Sequence, residues 1–221
     1  MKKYSIKEIF LTLQGEGARA GTKSVFVRFA GCNLWSGDPD NRAGFGPCAE
    51  WCDTDFFKGT AKTAQEVVAE ANALWPETGD VRWIVITGGE PSLQLDFEFI
   101  GAFRDHGWKI AIETNGTLYN SAIECCDWVV CSPKRGCQIN VRCANELKVV
   151  VSDSDWSDDE LVALENARYW DRLLVQPRAP LTGGLIGSSA ADSALKRCVD
   201  FVMRHPKWRV SVQTHKYMNL P

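Results

Sequence analysis

A chain of 221 residues, 45% hydrophobic and 24% charged, has the composition of one globular domain with a large core rather than of a disordered segment. The net charge of −3, with basic residues scattered along the chain, argues against a nucleic-acid backbone as partner. Residues 1–10 carry Lys2, Lys3, Lys7 and Glu8 with no apolar run behind them, which fits neither a signal peptide nor a membrane span, so a cytoplasmic protein acting on a small molecule is expected.

In chain order, short apolar runs rich in Val and Ile predict strands over 24–29, 83–87, 109–113, 128–131, 147–151, 173–176 and 209–213. Helical patterns fall between most of them. Thr63 followed by Glu66 reads as a capping box that opens a helix through Val67, Val68, Ala71 and Leu74 and ends before Pro76. Further helices are predicted over 95–106, closing at Gly107, and over 157–166 and 188–205. Apolar strands alternating with helices predict an α/β fold with a parallel sheet, curled by right-handed crossovers into an open or partial barrel.

One stretch breaks the alternation. Residues 33–59 show no period, and 36–47 are mostly turn formers; a loop this long inside a compact domain is usually functional. It follows the first predicted strand, and it carries Cys32 at one end and Cys48 and Cys52 at the other. Loops at the C-terminal ends of parallel strands build active sites, so three thiols gather where a ligand belongs. Nine cysteines in a reducing compartment are not a disulfide framework. Cys125, Cys126, Cys131 and Cys198 sit in apolar surroundings and read as small core residues. Three thiolates suit a cubane cluster that leaves one iron open, whereas structural zinc wants four closed ligands. Thr87-Gly-Gly-Glu-Pro91 ends the second predicted strand, with paired glycines for close backbone approach and Glu90 as a carboxylate for an ammonium group; Glu113-Thr-Asn-Gly116 holds the equivalent place after the third. Either motif alone reads as well as a tight turn.

The motifs Gln14-Gly-Glu-Gly17, Arg28-Phe-Ala-Gly-Cys-Asn-Leu-Trp35, Cys52-Asp-Thr-Asp-Phe56, Thr87-Gly-Gly-Glu-Pro91, Glu113-Thr-Asn-Gly-Thr117, Cys131-Ser-Pro-Lys134, Glu146-Leu-Lys148, Gln176-Pro177 and Gln213-Thr-His-Lys216 together resemble the 7-carboxy-7-deazaguanine synthase family, radical S-adenosylmethionine (SAM) enzymes of 7-deazapurine and queuosine biosynthesis. The resemblance runs nearly end to end. It implies a single radical SAM domain over 1–221, a modified TIM-like partial barrel with a cluster-binding loop at 32–59. The implied activity is that of a carbon–nitrogen lyase converting 6-carboxy-5,6,7,8-tetrahydropterin to 7-carboxy-7-deazaguanine with release of ammonia. The implied cofactors are a [4Fe-4S] cluster, SAM and Mg²⁺, and the implied partners are a second copy of the chain and an electron donor such as flavodoxin.

Position by position, the resemblance puts Cys32, Cys48 and Cys52 on the cluster. It puts Gly89, Glu90, Glu113, Asn115, Ser132, Pro133, Lys134, Gln176, Pro177, Arg178 and Ala179 around SAM, and Leu13, Gln14, Gly15, Glu16, Arg28, Thr87, His215 and Pro221 around the substrate. Thr54 matches a magnesium ligand. Chemically, Arg28 offers a planar fork for a carboxylate, and Gln14 and Glu16 can read the amide and amine edge of a pterin. The plainer readings are a surface ion pair for Arg28, an N-cap for Thr54 and an ordinary surface histidine for His215. Fifteen residues separate Cys32 from Cys48 and three separate Cys48 from Cys52, against Cys-x14-Cys-x2-Cys in one branch of the family. Gln176-Pro-Arg-Ala-Pro180 stands where family members often read Gln-Pro-Met-Asp-Gly. Two other functions share part of this pattern: a radical SAM activase of a partner protein, and a non-enzymatic zinc module completed by Asp53, Asp55 or His106.

Overall fold

The apolar runs pair into one open sheet, in a computed structural model that describes residues 1–42, 46–75, 81–179 and 189–221. Among these residues nine strands lie in the order β3-β1-β2-β4-β5-β6-β7-β8-β9. They are β1 (Tyr4–Leu13), β2 (Lys23–Phe29), β3 (Thr60–Lys62), β4 (Arg82–Gly88), β5 (Trp108–Thr114), β6 (Trp128–Cys131), β7 (Glu146–Val151), β8 (Arg172–Pro177) and β9 (Trp208–Val210). From β2 to β9 every neighbouring pair is parallel. The two ends of the sheet do not pair with each other, so the barrel is partial.

Helices α1 (Ala64–Leu74), α2 (Phe97–Asp105), α3 (Asp158–Ala167) and α4 (Ser189–Arg204) connect the strands, and a short α5 (Thr214–Met218) follows β9. Thr63 and Glu66 form the expected capping box of α1, and Ser157 with Glu160 forms another at α3. Asp96 caps α2 by accepting from the Phe99 amide at 2.9 Å, so that helix starts two residues later than its apolar pattern suggests. Gly107 closes it with φ +75°. Pro76 and Ser188 lie outside the described residues. The core, between the sheet and its helices, is dominated by Val25, Val27, Phe29, Ile84, Ile86, Ile110, Ile112, Leu147 and Val149. Cys131 and Cys198 are fully buried in it, and Cys125 and Cys126 pack against its rim.

The structure corrects the sequence reading at three places. The sheet is not wholly parallel, because β1, a strand that the charges of the N-terminal segment concealed, pairs antiparallel with both β2 and the short, unpredicted β3. A register shift between Ile6 and Glu8 swaps the faces of β1, so that Tyr4 and Ile6 enter the core while Glu8 and Phe10 reach a cavity inside the barrel. The last strand stops at Val210 rather than at residue 213, since the side chains of Ser211 and Gln213 turn inward to bond Gln176 and Glu16.

Candidate active site

Residues 30–59 leave the C-terminal end of β2 and return to β3. Two glycines at the end of β4 seat the start of this loop. The amide of Gly89 donates to the Phe29 carbonyl at 3.3 Å and that of Glu90 to Gly31 at 2.9 Å. A Cβ on Gly89 would stand 2.2 Å from the Gly31 oxygen and 2.8 Å from Cys32 Cβ. The close approach that this motif permits is therefore made first by the chain's own backbone. Glu90 has no solvent exposure: one carboxylate oxygen accepts from the Ser92 amide, the Ser92 hydroxyl and the Thr114 hydroxyl, and the other from the Asn115 amide at 2.7 Å. Glu90 and Pro133 do not line the cavity, unlike the other residues assigned to it from sequence. The Glu90 carboxylate thereby ties the β4 and β5 loops together beside the cavity. The next residues continue that network, with Asn115 Nδ2 donating to Asn33 Oδ1 at 3.0 Å beside Cys32.

A cavity of about 450 Å³ opens at the C-terminal ends of the parallel strands. One wall is the loop after β2. Cys48 and Cys52 stand one helical turn apart, with the Cys52 amide donating to the Cys48 carbonyl at 2.8 Å, so the three-residue gap keeps both thiols on one face. Trp35, Ala49 and Phe56 form a small separate apolar cluster with Cys48, and Cys32 and Cys52 both pack against it at the cavity. Burial pushes the Cys32 thiol up and the Cys48 thiol up to about 12. Among the described residues no fourth cysteine lines the cavity, so the donor set of three sulfurs fits an iron–sulfur cluster with an open corner. Nor do any three or more His, Cys, Asp or Glu side chains among them form a group able to hold a metal ion. Thr54 also faces the cavity; its neighbour Asp55 pairs with Lys7 at 2.7 Å, while Asp53 pairs with Lys216 at 2.7 Å.

The opposite wall is polar and closely bonded. Lys148 on β7 is 4% exposed and lies 2.5 Å from Glu16 and 3.0 Å from Glu113. Burial would raise the Glu16 carboxyl, but Lys148 and hydrogen bonds from it and Gln213 hold it down to about 2. For Glu113 burial wins, helped by the charges of Glu16 and Glu146, and its carboxyl is shifted upward in spite of Lys148. The Lys148 ammonium, which burial alone would depress, is raised by Glu113 and Glu16. Gln14 Nε2 donates to Glu113 at 3.2 Å, and Gln213 Nε2 to Glu16 at 2.8 Å.

His215 packs over Gly15, where a Cβ would stand 1.9 Å from its Nδ1, and burial depresses its basicity. The Thr214 amide and hydroxyl both donate to the Gly15 carbonyl, and the Thr12 hydroxyl donates to Pro221 at 3.1 Å, which brings the last residues against the start of the chain. On the inner face of β1 and β2, Phe10 and Phe26 stack at 5.4 Å beside Arg28, whose Nε donates to Glu8 at 2.6 Å. The plainer ion-pair reading of Arg28 is thus realised while the residue also lines the cavity. Trp51 lies between Lys134 and Arg178, which stand 5.6 and 5.7 Å from its ring centre.

Glu8, Phe10, Phe26, Trp51, Lys148 and Gln213 all line the cavity and were not given site roles from sequence. A signal existed for Lys148: Glu146 and Lys148 alternate with Leu147 and Val149 in an apolar strand, the period-two pattern of a charged inner face.

No family model matches the chain. It is 43% identical to 7-carboxy-7-deazaguanine synthase of Burkholderia multivorans and 41% identical to that of Caulobacter vibrioides, each alignment covering 99% of both chains. Its fold matches the crystal structure of QueE from Escherichia coli with a TM-score of 0.66 at 24% identity, covering 96% of this chain and 95% of that one. Relatives of this identity over the whole length place the chain plainly: it belongs to the 7-carboxy-7-deazaguanine synthase family.

Proposed function

We propose that this chain converts 6-carboxy-5,6,7,8-tetrahydropterin to 7-carboxy-7-deazaguanine with loss of ammonia, as a single radical SAM domain. The observation that carries the reading is one cavity lined on one side by three thiols and on the other by a buried array of carboxylates, amides and an ammonium. Cys32, Cys48 and Cys52 would hold the [4Fe-4S] cluster, and Gly89, Asn115, Ser132, Lys134 and the stretch from Gln176 to Ala179 would hold SAM. When bound and given one electron by an external donor, the cluster and SAM would supply radical chemistry for hydrogen abstraction from the pterin.

The chain's own residues bind, orient and exclude water. Arg28 gives Nε to Glu8, and the rest of its fork faces the substrate carboxylate. Gln14 and Glu16 meet the polar edge of the ring, and Phe10 with Phe26 covers its flat side. Thr54 would hold Mg²⁺ through one oxygen, a single protein ligand being enough for an ion that keeps waters and substrate oxygens in its shell. A homodimer in the cytoplasm, reduced by a flavodoxin-type donor, completes the reading; among the described residues no helix is long and apolar enough to cross a membrane.

Anaerobic reconstitution should load roughly four irons per chain, the stoichiometry of a cubane. The reduced enzyme with SAM, Mg²⁺ and the carboxytetrahydropterin should then yield 7-carboxy-7-deazaguanine by mass. Colourless protein carrying stoichiometric zinc, or loaded enzyme that cleaves SAM and leaves the pterin intact, would overturn the proposal.

A further inference from the structure

We infer that Lys148 is the positioning residue that fixes Glu16 and Glu113 as acceptor-only carboxylates on one wall of the cavity, so that this wall selects the edge of a ligand that presents N–H donors. The inference rests on the pterin reading above and names what enforces it. The Lys148 ammonium uses one donor on Glu16 Oε2 and another on Glu113 Oε2. Each carboxylate keeps a second oxygen, and Gln213 and Gln14 approach those two oxygens from other segments. One cation thereby ties the turn after β1 directly to the end of β5 and, through Glu16, to Gln213 in the chain after β9.

A plain structural ion pair is a poor account of this arrangement. Desolvating a buried lysine and two carboxylates costs about what their attraction returns, and an apolar side chain of similar length serves stability as well. Leu147, Val149 and Val151 fill the core face of β7, whereas Lys148 shares the opposite face with Glu146, so packing of the core does not call for a charge at position 148. What the charge does is chemical. An ionised carboxylate only accepts hydrogen bonds, whereas a protonated one also donates. The amino group and ring N–H of a 2-amino-4-oxopyrimidine edge are donors, and they match two ionised carboxylates. Without Lys148, two buried carboxylates with Glu146 close by repel one another, one takes a proton, and a donor then faces a donor.

The test is calorimetric titration of reconstituted, unreduced enzyme with 6-carboxytetrahydropterin, alongside steady-state kinetics. Lys148→Met should raise the dissociation constant by about tenfold or more, the loss expected for a charge-assisted pair, and KM should rise more than kcat falls. Lys148→Arg keeps the charge and should recover part of the affinity. A folded Lys148→Met enzyme that binds the pterin as tightly as the unaltered one overturns the inference. Should Lys148→Met fail to fold, the comparison moves to Glu113→Gln against Glu113→Gln/Lys148→Met, which removes one charge of each sign. There the double variant must bind at least about tenfold more weakly than the single, and equal affinity overturns the inference. An unaltered enzyme that does not bind the pterin at all defeats the proposed function itself, and this inference with it.

Discussion

The two walls of the cavity are built on different principles. The wall formed by Glu16, Lys148, Glu113, Gln14 and Gln213 is bonded within itself, every member tied to another by an ion pair or hydrogen bond. The wall formed by the loop after β2 holds its thiols on a small apolar cluster, and their sulfurs share the cavity without forming a metal-binding group. A polar recognition surface must be preorganised, because any slack there is paid in lost hydrogen bonds. A metal site is completed by its ligand, and the energy of binding then becomes energy of ordering the loop.

The largest expected effect strikes the thiol wall. Cys48→Ala should abolish cluster loading and SAM cleavage, read as iron content and 5′-deoxyadenosine release; undiminished turnover would show that Cys48 is no ligand. Next comes the seat of that wall. Gly89→Ala forces a Cβ into the Gly31 carbonyl and should cost roughly 2–3 kcal/mol in thermal unfolding together with loss of iron, since backbone rather than a flexible side chain must give way. An unchanged melting temperature would detach the Gly-Gly pair from the loop. Glu90→Gln removes a charge that accepts four hydrogen bonds and should cost roughly 1–3 kcal/mol, measured the same way.

On the polar wall the sharper probe is acid. Glu16 is held at about 2 in the folded chain against an ordinary 4.5, so its contribution to stability is complete above pH 4.5 and is lost as the pH falls toward 2. Glu113, shifted upward, works in the opposite sense and gains on acidification. Comparison with Glu16→Gln isolates the first contribution: the variant should lose less stability than the unaltered chain between pH 4.5 and 2 in denaturant titrations, and parallel curves would mean that Lys148 does not hold Glu16 ionised. The smallest effect belongs to the strap between the walls. Asp53 and Lys216 are both partly exposed, so Lys216→Met should cost only about 0.2–1 kcal/mol, less at high salt.

Much of this architecture is legible in the residue order. Strands β4 to β8, the capped helices α1 and α3 and the long loop with its three cysteines all follow from local signals: runs of Val and Ile, a Thr or Ser three residues before Glu, and turn formers in series. Most of the other residues lining the cavity were assigned through the family resemblance rather than through local pattern. Other features depend on partners far away in the chain. β1 reads as a charged N-terminal segment until a register shift sends Ile6 into the core and Glu8 into the cavity. The bonds from Ser92, Thr114 and Asn115 to Glu90 exist only once the β4 and β5 loops are packed together. The gap of three between Cys48 and Cys52 reads as one residue too many until a helical turn returns both thiols to one face.

Local pattern and spacing by themselves determined which residues form strands and helices and which loop carries the sulfurs, because those depend on neighbours in the chain. Only the tertiary structure decided which charges are already satisfied, since a carboxylate spent inside the protein and one offered to a ligand look alike until their partners are in place. Glu90 and Glu16 each follow a glycine and stand next to last in their motifs, Thr87-Gly-Gly-Glu-Pro91 and Gln14-Gly-Glu-Gly17. The first is locked under the β4 and β5 loops, and the second, held by a lysine 132 residues away, faces the cavity.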